Sequence, residues 1–116
     1  LVAYYPRDTR ENQRIIARSF LVNFDKNTAK IALEVARNES GFRSRAENFN
    51  SNSTWDKGCW QINDVHRLSD TVRLNCKKAT EWAVKKVKRD KGFGAWVAYN
   101  VHVKGKYECY TFFNRN

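Results

Sequence analysis

Residues 36–42 read ARNESGF, and Glu39 is the residue in them that needs an explanation. Upstream, Ile31, Ala32, Val35 and Ala36 recur at the spacing of one buried helix face. The pattern predicts a helix that starts near Thr28 as its N-cap and ends at Gly41, because glycine takes the left-handed conformation that closes helices. Glu39 then falls on the last turn. There the helix dipole disfavours an anion and pushes a carboxyl toward keeping its proton. Such a residue is either a solvated charge at a helix end or an acid held at the lip of a cleft. The residues that follow separate the two.

Segment 45–58, RAENFNSNSTWDKG, is dense in Asn and Ser, which favour turns and short hairpins. CWQIN, 59–63, alternates apolar and polar like a short strand. Asp56 lies in this polar region, 56 − 39 = 17 residues after Glu39. Two carboxylates in unlike surroundings are what glycoside hydrolysis uses. One is kept protonated by an apolar setting and gives its proton to the leaving oxygen, while the other stays ionised in a polar one. Glu39 follows an apolar helix, and Asp56 sits among Ser, Thr, Asn and Lys. The surroundings differ in the sense that chemistry needs.

The rest of the chain frames a mostly helical α+β fold in a single domain, 1–116. Residues 1–10 read as an extended lead-in. Ile16, Phe20 and Phe24, flanked by Ala17 and Leu21, mark a helix over 11–24. Asn75 is placed to cap a third long helix with Cys76, Ala79, Ala83, Val84 and Val87 inward and KKVKRDK (85–91) largely outward, stopped by Gly92. FGAWVAY, 93–99, reads as a short buried helix, and the tail from Asn100 has no clear pattern. Trp82, Phe93 and Phe112 are expected in the core; Trp60 and Tyr99 divide evenly between packing and stacking on a sugar.

Four Trp, five Tyr and seven Phe in 116 residues argue for a packed globule and against disorder. No apolar run is long enough for a membrane span, and no signal-peptide pattern is visible. The chain starts at Leu1, which reads as a processed product or a piece of a longer protein. A net charge of +10 favours anionic partners, and on charge alone nucleic acid ranks first. No nucleic-acid motif accompanies that charge. His66, His102 and the three cysteines lack the ligand spacing of zinc sites, so no metal or cofactor is expected. Cys59 on a core-facing strand and Cys76 at the start of a helix are expected to form a disulfide, with free core thiols the alternative. Cys109 is then unpaired.

ESGF (39–42), the Asn/Ser-rich turn, STWDKGCWQIN (53–63) and GFGAWVAY (92–99), in this order, resemble the lysozyme-like superfamily. They look most like animal-type lysozymes and share their first and second blocks with lytic transglycosylases; the resemblance covers 28 to about 100. It implies a fold with a cleft between a helical lobe and a small antiparallel hairpin region. Glu39 stands at the family's general acid and Asp56 at its second carboxylate. Gln61 and Asn63 fall on the strand lining the sugar cleft, and Asn50 among the turn residues near Asp56. Trp96 matches the tryptophan packed on the acid, with Ala95 and Val97 beside it on the cleft wall.

The implied activity is a muramidase that cleaves the β-1,4 bond between N-acetylmuramic acid and N-acetylglucosamine in peptidoglycan. A lytic transglycosylase giving 1,6-anhydro ends is the alternative on the same fold, and a basic nucleic-acid-binding module the alternative outside it. The expected partner is the anionic bacterial wall, with no specific nucleic acid. The expected location is extracellular, wall-facing or virion-associated. Two departures point to a microbial or viral relative of the animal enzymes. Trp55 stands between Ser-Thr and Asp56, and only Cys76 sits where animal-type lysozymes carry a cysteine.

Overall fold

Three long helices carry the core among the described residues, and the first begins with Pro6, the only proline in the sequence. Helix α1 spans Pro6–Asn23, α2 Lys26–Ser40 and α4 Cys76–Asp90, with a short α3 at Asp70–Arg73. The computed structural model describes residues 6–106, so Cys109 and Phe112 lie outside the described residues. The expected extended lead-in gives way to helix from residue 6 onward. Proline suits a first helical turn, where its fixed φ helps and its missing N–H is not needed.

Ile16 and Phe20 on α1 and Phe24 just beyond its end are buried as the spacing predicts, whereas Leu21 is 44% exposed. Helix α2 starts two residues before Thr28. Its N-cap is Asp25, whose carboxylate accepts the Thr28 N–H at 2.8 Å. Thr28 is instead fully buried inside the first turn. Gly41 closes α2 at φ 64°, its N–H bonded to the Arg37 carbonyl. Asn75 caps α4 through the Lys78 N–H at 3.0 Å, and Ala79, Ala83, Val84 and Val87 face inward. The left-handed stop of α4 is Lys91, at φ 57°, not Gly92.

Between α2 and α4 lies a three-stranded antiparallel sheet in the order β1 (Glu47–Phe49), β2 (Trp55–Lys57), β3 (Ile62–Asn63). The strand expected over 59–63 is reduced to its last two residues, because Gln61 takes φ 48° and breaks the pleat. Cys59 and Trp60 are instead drawn into the core, where both are fully buried. Gly58 admits no other residue. It sits at φ 85°, and a Cβ there would lie 1.7 Å from the Arg73 carbonyl oxygen.

The FGAWVAY segment also differs from a plain helix. Phe93 to Ala95 form a turn, the helical part begins at Val97, and residues Tyr99–Val103 widen into a π-helix. Phe93, Trp96, Ala98 and Tyr99 are buried, so its expected burial holds while Val97 is 73% exposed. The core stacks Phe20 on Trp60 with centroids 5.6 Å apart and on Phe93 at 5.9 Å. Burying one such ring contributes roughly 1.5–3 kcal/mol. No helix among the described residues is long and apolar enough to cross a membrane.

Cys59 and Cys76 form a disulfide with Cα atoms 5.5 Å apart, tying the turn before β3 to the start of α4. The bridge closes a loop across a separation of 17 residues. Restricting the unfolded chain over a loop of that length stabilises the fold by about 3 kcal/mol. Replacing both cysteines by Ala should lower the unfolding free energy by that order, as measured by denaturant titration. The denatured, unreduced protein should expose one reactive thiol.

Candidate active site

The last turn of α2 and the sheet form opposite walls of a cleft of about 330 Å³, lined by both Glu39 and Asp56. Glu39 is half-buried on the α2 side. Its Oε2 accepts the Ala98 N–H at 3.2 Å. Ala98 stands at the start of the helical segment from Val97, where backbone N–H groups have no partner within the helix. The carboxyl therefore satisfies a donor that the fold leaves open.

Burial pushes the Glu39 carboxyl above its ordinary value, the Ala98 N–H opposes the shift, and the negative charge of Asp56 adds to it. Desolvation is the main cause: a charged carboxylate loses water here without gaining a cation. Next to Glu39, the Ser40 hydroxyl donates to the Cys59 carbonyl at 2.7 Å, so the helix end is fixed to the turn below the sheet.

Asp56 sits in the middle of β2, paired with Asn48 on β1 and Asn63 on β3. Its Oδ1 accepts the Asn63 side-chain amide at 2.7 Å. Asn63 also reaches the Thr54 hydroxyl at 2.9 Å, and Asn50 reaches the same hydroxyl at 3.2 Å. This polar set holds one oxygen of a carboxylate that lines the cleft. Trp55 does not distort the turn. It keeps the regular register opposite Phe49 and packs on that ring at 4.9 Å and a tilt of 56°, on the sheet face away from Asp56.

Of the expected sugar-contacting residues, Asn50, Gln61, Asn63, Ala95, Trp96 and Val97 all line the cleft. Gln61 is almost wholly engaged inward: its amide donates to the Ala46 and Gly58 carbonyls, and its Oε1 accepts from Asn48. Trp60 and Tyr99 do not line it. Trp60 is fully buried and donates to the Thr80 hydroxyl at 3.0 Å, and Tyr99 packs on Phe93 at 5.9 Å. Packing decides both.

Trp82, expected in the core, is only half-buried and lines the cleft with His66. The two rings meet edge-on at 4.9 Å, and Trp82 meets Trp96 at 6.2 Å and 80°. Trp82 stands at the margin of the buried stripe of α4, which is the one trace of this in the pattern. Burial first, and then the nearby Lys86 and Arg89 charges, hold the His66 imidazole below its usual value. Asn52, Thr54 and Ile62 complete the wall. No cluster of three or more His, Cys, Asp or Glu side chains among the described residues is arranged to hold a metal ion.

A helical lobe and a three-stranded sheet enclosing a cleft with a glutamate on one wall and an aspartate on the other is the lysozyme fold. A lysozyme from Litopenaeus vannamei superposes with a TM-score of 0.64 at 21% identity, covering 91% of each chain. Lysozyme C of Penaeus merguiensis is 31% identical over 102 residues, covering 71% of this chain. The chain spans 65% of that relative's length, just under two thirds. No family model matches. The chain thus has the fold of a lysozyme and is similar in sequence to a lysozyme C.

The raised Glu39 carboxyl makes stability depend on pH with a definite sign. The unfolded chain releases this proton near the ordinary value of 4.5, while the folded chain holds it to higher pH. Stability is thus fully present below 4.5 and declines as pH rises through the folded value. Glu39→Gln keeps an acceptor for the Ala98 N–H and removes the charge. It should melt higher than the native protein at about pH 7, and the gap should close below about pH 4. Thermal melts across that range check it.

Proposed function

We propose that this protein is a muramidase that hydrolyses the β-1,4 bond between N-acetylmuramic acid and N-acetylglucosamine in peptidoglycan. The observation that carries the reading is a pair of carboxyls in one cleft with unlike surroundings: Glu39 half-buried, with burial pushing its carboxyl above its ordinary value, and Asp56 hydrogen-bonded to the Asn63 side-chain amide within a polar set. In this scheme Glu39 donates its proton to the glycosidic oxygen as the bond to the anomeric carbon breaks. Positive charge develops on the sugar ring, and Asp56 stabilises it or bonds to it before water completes the hydrolysis.

Asn63 keeps Asp56 aimed, and the Ala98 N–H keeps Glu39 on the cleft wall. No cofactor is needed for these steps. Likeness to Lysozyme C of Penaeus merguiensis supports the substrate class, and the +10 charge suits a wall polymer rich in carboxylate and phosphate. A disulfide between Cys59 and Cys76 suits an oxidising compartment, so we place the protein outside the cytosol, facing the wall.

Mass spectrometry of digested peptidoglycan tests activity and reaction type together. Hydrolysis yields reducing muramic ends; 1,6-anhydro ends would mean a transglycosylase, and intact glycan beside a salt-sensitive gel shift would mean a nucleic-acid module. Glu39→Gln should lower the rate by about two to four orders of magnitude, the usual loss when general acid catalysis is removed. Residual activity above about a tenth would reject that role. Asp56→Asn should fall by a similar factor in a hydrolase. A transglycosylase that uses the substrate's own acetamido group would keep most of its rate.

A further inference from the structure

We infer that Arg73 is a positioning residue for the carboxylate of Asp56, gripping the backbone immediately before Asp56 and before its partner Asn63. This inference rests on the muramidase reading and adds a residue that touches no sugar. Arg73 ends α3, outside the cleft, and its side chain is 6% exposed. Its Nη1 donates to the Ile62 carbonyl at 2.9 Å and lies 3.4 Å from the Trp55 carbonyl. Those carbonyls belong to the residues preceding Asn63 and Asp56. The guanidinium thus holds the two strands at the points from which the bonded pair Asp56–Asn63 projects.

Two aspartates complete the clamp. Asp64 bonds Arg73 Nη1 at 2.9 Å through one oxygen and accepts the Trp55 N–H at 2.8 Å through the other. Both backbone groups of Trp55 are therefore tied to one ion pair. Asp70 bonds Arg73 Nη2 at 3.3 Å and Lys57 Nζ at 3.1 Å, and Lys57 follows Asp56 in β2. Asp56 is bracketed on both sides along its strand. The base of the arginine is fixed as well, since its carbonyl occupies the space that only Gly58 leaves free.

The clamp is a costly way to obtain stability alone. Arg73 Nε is buried with no hydrogen-bond partner among the described residues. A buried cation of this kind often contributes less to stability than an apolar side chain of similar volume, while it fixes geometry that an apolar side chain cannot. Lysine is no substitute, because one ammonium cannot span two carboxylates and two carbonyls as a planar fork does.

A double-mutant cycle on soluble wall oligosaccharides tests the role, with folding confirmed by circular dichroism. Arg73→Lys should lower kcat by about tenfold or more at nearly constant KM, since a misplacement of even 1 Å can cost about a hundredfold. In an Asp56→Asn background the same change should alter kcat by less than about twofold, because residues acting through one another are not additive. An equal loss in both backgrounds, or none in the folded single variant, overturns the inference while leaving the muramidase reading intact. If the native protein cleaves glycan and Asp56→Asn keeps most of that activity, the role of Asp56 and this inference fall together. Should Arg73→Lys not fold, Asp64→Asn replaces it under the same criteria. The Asn63 side-chain amide signals in an NMR spectrum should also shift in either variant, and unmoved signals overturn the inference.

Discussion

The hydrogen bond from the Ser40 hydroxyl to the Cys59 carbonyl joins the two halves of the site. Ser40 is the neighbour of Glu39, and Cys59 belongs to the turn that leads out of the strand bearing Asp56. The same turn is held from every side. Gly58 donates to Ala46, Trp60 accepts from the Trp96 indole at 2.9 Å, and Cys59 is bonded to Cys76. The relative placement of the carboxyls is therefore set by four short attachments to residues 58–60. Neither wall could shift without breaking a buried bond.

This joint also explains the division of labour among the tryptophans. Trp60 must lie beneath the turn because its own backbone is part of it, and Thr80 supplies the partner for its indole. Trp96 donates to that turn and presents its remaining edge to the cleft. Trp82, one row further out on α4, reaches the cleft beside it. The apolar surroundings that push the Glu39 carboxyl up thus grow out of the core, whereas the polar surroundings of Asp56 are built locally by Asn63, Thr54 and Asn50.

Much of this was legible in the residues themselves. The α2 periodicity, Gly41 as its stop, Asn75 as a cap and the contrast between the surroundings of Glu39 and Asp56 are local features, and local features survive folding. The errors have tertiary causes. Thr28 has the side chain of a cap, but Asp25 takes that place by accepting the Thr28 N–H, and Thr28 is buried inside the first turn. Trp60, evenly divided between packing and stacking, goes to the core beside a left-handed Gln61, a conformation that alternation of residue types does not reveal, while Trp82, expected in the core, reaches the cleft. Arg73 carries no signal at all: a lone arginine in a four-residue helix looks solvated until two aspartates and two carbonyls are seen around it.

The packing of Trp55 on Phe49 has an optical consequence. Trp55 is 37% exposed on the sheet face opposite Asp56, whereas Trp60 and Trp96 are buried. An indole in water emits at longer wavelength and is open to collisional quenchers, and a buried one is neither. The protein therefore carries tryptophans of graded exposure, with Trp82 half-buried between the extremes. Iodide would quench Trp55 first and leave the emission of the buried pair Trp60 and Trp96, the second of them on the cleft wall, to follow glycan binding without a label.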